Sequence, residues 1–413
     1  MVGEKIKFNG GKWTVPDNPS ILFASGDGIG PEVSASAKMI TDAAVSKSYA
    51  KSKRIEWIDI EIGEAAEKRY GNGITESAKK MLTEYRVLLK GPLTTPVGSG
   101  SRSFNVAIRM LLDLYANIRP VRYIKGIESP IKRPENVDMV IFRENTDDIY
   151  RGIEWRYDSK EAERLREILK RDFKVELESD TGIGIKPISR MKTERITRMA
   201  MNYAITNRRR SITIMHKGNI MKYTEGAFRE WAYGIAKSPE FADRVVIESE
   251  MTAGASVEGK ILINDRIADN MMQQIITRPE SYDVILAPNL DGDYISDEAG
   301  ALIGNISVLG SANIGDTGGM FEAAHGSVPK YAGMDLANPM GMIKAAELML
   351  TFMGWNDAAD RISKAVDRAI SDRTVTADIA KYMGVKPMGT NAFTQVIIDN
   401  INGVTNATPS SAP

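Results

Sequence analysis

The stretch Ile21–Val33, "ILFASGDGIGPEV", reads as an apolar strand, a glycine cluster and the start of a helix, and its spacing tests whether the cluster grips a dinucleotide. A dinucleotide fingerprint needs G-x-G-x-x-G, its third glycine letting helix pack closely on strand, and an acid about 20 residues further on for a ribose. Here Gly26, Gly28 and Gly30 give G-x-G-x-G-P, and Pro31 stands where a helix starts. Asp59 and Glu61 lie too far along to serve the ribose. On its own the pattern favours a tight turn over a pyrophosphate grip.

The 413 residues suffice for two or three substructures with their own cores. Hydrophobic residues make up 43% and charged residues 26%, the balance of an ordinary globular chain. Lys plus Arg (54) equals Asp plus Glu (54), so no overall field recruits nucleic acid or an anionic membrane. An anionic ligand therefore needs cations gathered locally. With no cysteine, disulfides, thiolate metal sites and thiol nucleophiles are excluded together. The opening "MVGEKIKFNGGKW" lacks the apolar core of a signal peptide and no run reaches membrane-span length, so the expected setting is cytoplasmic.

Short apolar runs recur, several closing on polar or glycine clusters before a helical pattern, which is the rhythm of α/β architecture. "YRVLLKGPLTTP", "DMVIFRENTDDIY", "SITIMHKGNIMK" and "YDVILAPNLDGDYISD" each place distinctive polar residues just after the strand. Ligands of open α/β sheets sit outside the carboxyl ends of strands, which makes Lys90, Arg143, Lys217 and Asp293 candidate site residues. From Arg151 to Ser189 the character changes: "SKEAERLREILKRDF" is a charge-dense helix and "KVELESDTGIGIKPIS" reads as a short hairpin or pair of strands. Such a polar helix buries little alone, so this segment is expected to be an inserted subdomain or a subunit contact. "NRRR" (Asn207–Arg210) reads as a helix end and the tail "GVTNATPSSAP" as disordered.

Five constellations carry chemistry. In "TTPVGSGSRSFNVAIRMLLDLY", Ser103 sits near a helix N-terminus, with Asn105 and Arg109 four apart on one face. Either they hold a carboxylate or phosphate, or Ser103 is a cap and Arg109 is solvated. Arg119 and Arg143 supply further cations; Arg143, directly after "MVIF", needs Glu144, Asp147 or a substrate carboxylate as partner, with Tyr150 near as a proton donor. Asp293 and Asp297 in "GDYISD" share a helix face that suits a hard cation or simply complements the helix dipole, and Asp269 would be a third ligand. Lys217 in "MHKGN" suits proton transfer, and His216 beside it reads as a packed strand-end residue. In "FEAAHGSVPKYAG", His325, Gly326, Lys330 and Tyr331 either wrap an adenosine phosphate or form a surface loop.

In order, "GDGIGPE", "KGPLTTPVGSGSRSFNVAIR", "VIFRENTDDIYRGIEW", "MHKGNIMKYTEG", "NLDGDYISDEAGALIG" and "FEAAHGSVPKYAG" resemble the isocitrate/isopropylmalate dehydrogenase family of decarboxylating 3-hydroxyacid dehydrogenases, and most closely its prokaryotic, dimeric, NADP-dependent isocitrate branch. The resemblance runs from roughly residue 15 to residue 402. It implies a non-Rossmann α/β fold, with a large cofactor domain (1–114 and 304–413), a small substrate and metal domain (115–147 and 190–303) sharing the central sheet, and a clasp subdomain (148–189) that interlocks a homodimer.

By the same resemblance Ser103, Asn105, Arg109, Arg119 and Arg143 bind isocitrate, Ser103 and Asn105 meeting the carboxylate that isopropylmalate lacks. Tyr150, Lys217 and Asp269 serve the acid–base steps, and Asp269, Asp293 and Asp297 hold Mg²⁺ or Mn²⁺, with Lys217 and Asp269 reaching across from the neighbouring subunit. Thr94, Thr95, His325, Gly326, Lys330, Tyr331, Asn338 and Lys381 bind NADP. The family's further Tyr and Arg stand here as Ala377 and Lys381, which removes a hydroxyl and replaces a planar fork with a point charge. The implied reaction is oxidative decarboxylation of isocitrate to 2-oxoglutarate through oxalosuccinate and a metal-stabilised enolate. Homoisocitrate or isopropylmalate oxidation, and a non-catalytic isocitrate-binding subunit, are the competing expectations.

Overall fold

The computed structural model describes residues 3–9, 12–94, 103–252 and 257–404; Thr95, residues 96–100 and the tail from residue 405 lie outside them. The described residues include fifteen strands: β1 (Lys7–Asn9), β2 (Lys12–Thr14), β3 (Ser20–Ala24), β4 (Glu56–Asp59), β5 (Val87–Lys90), β6 (Ala116–Arg122), β7 (Asp138–Glu144), β8 (Glu154–Trp155), β9 (Ile183–Gly184), β10 (Ser211–His216), β11 (Val245–Ile247), β12 (Ile261–Ile267), β13 (Val284–Ala287), β14 (Gly310–Gly315) and β15 (Gly318–Ala323). Eleven form one mixed sheet in the order β11-β12-β10-β13-β7-β6-β14-β15-β5-β3-β4. The block β11-β12-β10-β13-β7 is parallel, as is the block β15-β5-β3-β4. Between them β6 and β14 run antiparallel to each other and to their outer neighbours. That seam departs from the parallel Rossmann order and is the non-Rossmann α/β arrangement expected from the sequence.

Side-chain alternation turns the seam into a cleft. Phe23, Leu89, Phe321, Ala312, Ile118, Phe142, Leu286 and Ile214 lie level across eight strands, an unbroken apolar row on one face. Positions one residue away point to the other face. There Lys90, Glu322 and Ser311 lie level, and on the other side of the apolar row so do Asn313, Asn117 and Arg143. One face of the sheet is therefore dry from β3 to β10, and the opposite face carries a polar trench over its central strands.

The opening stretch folds as its pattern suggests, with a different partner. Ile21–Ala24 is buried in β3, Pro31 starts the helix Gly30–Ser48, and that helix buries Val33, Ala37, Ile40 and Ala44 at helical spacing. Burying Val33 or Ile40 contributes about 1.5–3 kcal/mol each, and the methyl of Ala37 or Ala44 roughly 0.8 kcal/mol. Gly28 adopts φ +59°, a left-handed conformation that suits glycine, and the Ile29 N–H donates to the Ser327 carbonyl at 2.9 Å. The early turn is thus braced against the "HGSV" loop.

The segment expected as a clasp has little core of its own. The helix Lys160–Ile168 buries only Ala162, capped by Ser159, and continues as a π-helical turn, Leu169–Phe173. A hairpin within residues 174–189 is not what forms: β9 pairs instead with β8, far back in the chain, because the polar residues between offer no apolar face for a local partner. "NRRR" also differs from a simple dipole-capping end. The helix closes at Thr206, and Arg209 reaches back to Asp138 at 3.0 Å and Asp283 at 2.7 Å. Among the described residues no helix is long and apolar enough to cross a membrane.

Candidate active site

Three buried arginines from three elements line the trench. Arg109 comes from the helix Phe104–Leu111, Arg119 from β6 and Arg143 from the end of β7. Arg143 finds neither of the partners expected for it: Glu144 turns back to accept from Thr146 and Asp147 backbone N–H groups, and Asp147 is taken by Lys192 at 2.9 Å. Its guanidinium instead donates to Asn289 Oδ1 at 2.8 Å and to Asp293, both on the helix Asn289–Leu302. Arg119 donates to Ser296 at 2.6 Å and to Asp297 at 3.0 Å, with Asp293 at 3.8 Å. Asp293 and Asp297 therefore converge on one face of that helix, as their four-residue spacing predicts.

Tyr150, on the turn after β7, donates its hydroxyl to Asp293 and lies under the Arg143 guanidinium, 4.8 Å from ring to cation. Burial pushes the phenol up to about 12 despite the opposing effect of Arg143, so it holds its proton at neutral pH. Burial would also raise Asp293, but Arg143, the Tyr150 hydroxyl, Arg119 and Arg109 overcome it and hold the carboxyl below its usual range.

A second ion cluster forms the far wall. Glu322 is buried between Lys90 at 2.5 Å and Arg109 at 3.1 Å, and accepts from Asn313 at 2.8 Å. Burial alone would raise Glu322, but the two cations reverse the shift and keep it ionised; Lys90 is lowered by burial against the pull of Glu322. Asn117 links the walls, donating to Ser311 and Asn313 and accepting from Arg119 at 3.1 Å. Glu322, Asn313, Asn117, Asn289 and Ser296 were not singled out from the sequence. The only signal for Glu322 is a charge inside an apolar strand, "GGMFEA".

Ser103 is the N-cap of the Arg109 helix. Among the described residues, Asn105 Oδ1 and Arg109 Nε are buried without a hydrogen-bond partner, which leaves an acceptor and a donor for a ligand at that helix. Asp293 and Asp297 put two hard carboxylate oxygens on one helix face, the donor type that a divalent metal takes. Asp269 pairs elsewhere: Lys217, half-buried after β10, binds it at 2.6 Å and holds it below its usual range, the Asp269 side chain being exposed. Among the described residues no three His, Asp or Glu side chains gather as a metal site. His216 is buried as expected, set between Asp265 at 3.0 Å and the Gly218 N–H at 2.9 Å.

The expected cofactor residues line the loop that braces Gly28. Thr94 Oγ1 and Ser327 Oγ are 2.8 Å apart, and Asp27 accepts the Thr94 N–H at 2.8 Å. His325 Nδ1 lies 2.9 Å from the Gly326 carbonyl, which can only accept, so Nε2 is a bare acceptor; it is buried and unpartnered. That orphaned nitrogen fits a ligand bearing an N–H donor. Lys330 and Tyr331 are solvent-facing and stacked at 4.8 Å, and Lys381 lies over Tyr382 at 4.4 Å with Tyr331 close enough to raise it. Asn338 is held by its neighbours: its amide donates to Asp378 at 3.0 Å and Ser307 at 3.2 Å, and its oxygen accepts the Met340 N–H.

Comparison with known proteins agrees with this arrangement. The family model described as isocitrate/isopropylmalate dehydrogenase matches residues 20–401. The chain is 52% identical over 405 residues, 97% of each chain, to "Isocitrate dehydrogenase [NADP]" of Archaeoglobus fulgidus, and 48% identical over 412 residues, 97% of this chain and 95% of that one, to the protein of the same name from Coxiella burnetii. A crystal structure of isocitrate dehydrogenase from Methylococcus capsulatus superposes with a TM-score of 0.77 at 36% identity, covering 92% of this chain and 99% of that one. Seam, trench and sequence similarity together make this chain a member of the isocitrate/isopropylmalate dehydrogenase family.

Proposed function

We propose that this protein oxidises isocitrate with NADP⁺ and releases 2-oxoglutarate and CO₂. The observation that carries the reading is the convergence of Arg109, Arg119 and Arg143 on one trench in a protein of zero net charge. Isocitrate brings three carboxylates, and guanidinium forks are the groups that bind carboxylates in a low-dielectric site. Ser103, at the helix start, and Asn105, through its amide N–H, would meet the carboxylate absent from isopropylmalate, and the Arg109 Nε–H is a further donor for the substrate.

In this reading the arginines orient the substrate and exclude water. Lys217 or Asp269 takes the hydroxyl proton, and Tyr150, still protonated at neutral pH, returns a proton to carbon after CO₂ leaves the β-keto acid oxalosuccinate. Asp293 and Asp297, with Asp269, would hold Mg²⁺ or Mn²⁺; Thr94, Thr95, His325, Gly326, Lys330, Tyr331, Asn338 and Lys381 would hold NADP⁺. When bound, the cation supplies Lewis-acid polarisation and NADP⁺ a hydride acceptor.

The separation of the Lys217–Asp269 pair from Asp293 and Asp297 supports a homodimer in which each pair completes the partner's site. Ile220 and Tyr223 beside Lys217, and Tyr157 and Phe173 on the 148–189 clasp, are exposed apolar groups that such an interface would cover. The domain limits 1–114 with 304–413, and 115–147 with 190–303, belong to the same proposal. The decisive experiment is steady-state turnover of isocitrate, homoisocitrate and 3-isopropylmalate with NADP⁺ or NAD⁺ and Mg²⁺. Isocitrate with NADP⁺ should give the highest kcat/KM; preference for a substrate lacking the third carboxylate would overturn the proposal.

A further inference from the structure

At the clasp's return to the body of the protein, Lys186 is almost fully enclosed between two carboxylates. Its ammonium lies 2.6 Å from Asp148 and 2.7 Å from Glu225, and both acids are completely buried. The acids lead to different places. Asp148 opens the turn that carries Tyr150, and Glu225 opens the helix Glu225–Ala236 behind the Lys217 loop.

Each carboxylate holds its turn directly. Asp148 adopts φ +70°, an unfavourable conformation for a side-chain-bearing residue. It is held there on every side: its N–H donates to the Pro187 carbonyl at 2.8 Å, and its carboxylate accepts the Ile149 N–H at 2.7 Å and the Leu290 N–H at 3.1 Å. The Leu290 bond fastens the turn to the helix that bears Asp293 and Asp297. Glu225 accepts the backbone N–H of Lys217 itself. A single ammonium thus bridges the backbone turns of two of the side chains assigned to proton transfer, and Asp291, on the helix that bears Asp293 and Asp297, lies close enough to Glu225 for their charges to interact.

We infer that Lys186 is a positioning residue for the reaction: by bridging Asp148 and Glu225 it holds in place both the turn that carries Tyr150 and the turn that presents Lys217 to the partner's site. It touches neither substrate nor cofactor residues. Without it, two buried carboxylates face each other unneutralised, and the turns they hold separate. The inference rests on the roles assigned above to Tyr150 and Lys217. Misplacing a catalytic group slows the chemical step more than it weakens substrate binding.

The test uses the full-length protein with isocitrate, NADP⁺ and Mg²⁺, and compares Lys186→Met and Lys186→Arg with wild type. Lys186→Met should lower kcat about 10–100-fold while KM for isocitrate stays near wild type, and Lys186→Arg should restore most of the rate. Should Lys186→Met fail to fold by circular dichroism, the charge-balanced double variant Lys186→Met with Glu225→Gln carries the same expectation. An undiminished kcat in a folded variant, or a kcat and KM that worsen together with no rescue by arginine, overturns the inference. Tyr150→Phe and Lys217→Met run alongside. If both of these turn over normally, the role assignment falls and this inference with it; if both are inactive while Lys186→Met is fully active, the inference alone falls.

Discussion

A methyl group added to Gly28 would lie 2.0 Å from the carbonyl oxygen of Ser327. No real Cβ contact is that short, and the glycine's φ of +59° disfavours any side chain there in addition. Gly28→Ala should therefore push apart two loops that lie 299 positions apart in the chain (327 − 28). The expected loss is about 1–3 kcal/mol of stability, seen as a lowered melting temperature. KM for NADP⁺ and NAD⁺ should rise together; a selective change in one would mean that Gly28 contributes to cofactor choice.

Glu322 gives the stability curve its acid limb. Its native carboxyl is held well below the unfolded value of 4.5, so the native state binds fewer protons and the stabilisation is fully present above that pH. It drains away as pH falls below about 4.5. Glu322→Gln leaves Lys90 and Arg109 buried without their counter-charge and should cost about 3–5 kcal/mol at neutral pH. Urea unfolding of both proteins across an acid series should show that gap narrowing as the pH falls; a constant gap would contradict the assignment.

Lys217 is a different case, half-buried and joined to the exposed Asp269. Lys217→Met should leave the melting temperature and NADP⁺ binding close to wild type while lowering kcat by about 10²–10⁴-fold, the range of general acid–base groups. Calorimetric NADP⁺ titration beside steady-state kinetics separates the two effects.

Cofactor choice should reside in exposed residues. Lys330 and Tyr331 pack on each other above the loop, with Lys381 alongside. Lys330→Asp combined with Tyr331→Ile replaces a phosphate-binding cation by a repelling charge and should shift the NADP⁺/NAD⁺ ratio of kcat/KM by about 10–100-fold towards NAD⁺. An unchanged ratio would locate selectivity elsewhere, with Lys381 the next residue to vary.

Much of this arrangement is legible in the sequence because polar residues after apolar runs mark the carboxyl ends of strands. Lys90, Arg143 and Lys217 lie at or beside such ends, and Asp293 in the first turns of the helix that follows β13. The two-residue period and the helix spacing of Asp293 and Asp297 need only local geometry. What stays hidden depends on register between distant strands. Nothing near Glu322 announces that it will stand level with Lys90, and the sequence around Arg143 offers Glu144, Asp147 or a substrate carboxylate because its protein partners come from a helix after another strand. Asp148, Glu225 and Lys186 look like ordinary surface charges until three separate segments close around them.

The apolar row that backs the trench, from Phe23 to Ile214, also shapes the field in front of it. Charges held above a low-dielectric layer cannot spread their field backwards, so the potential of Lys90, Arg109, Arg119 and Arg143 is projected out of the cleft mouth. The trench's own carboxylates, Asp293, Asp297 and Glu322, offset three of these four cations, so a chain with as many acids as bases still presents a net positive cleft to a small polyanion. Capture of a tricarboxylate should accordingly slow as ionic strength rises, although the molecule as a whole carries no net charge.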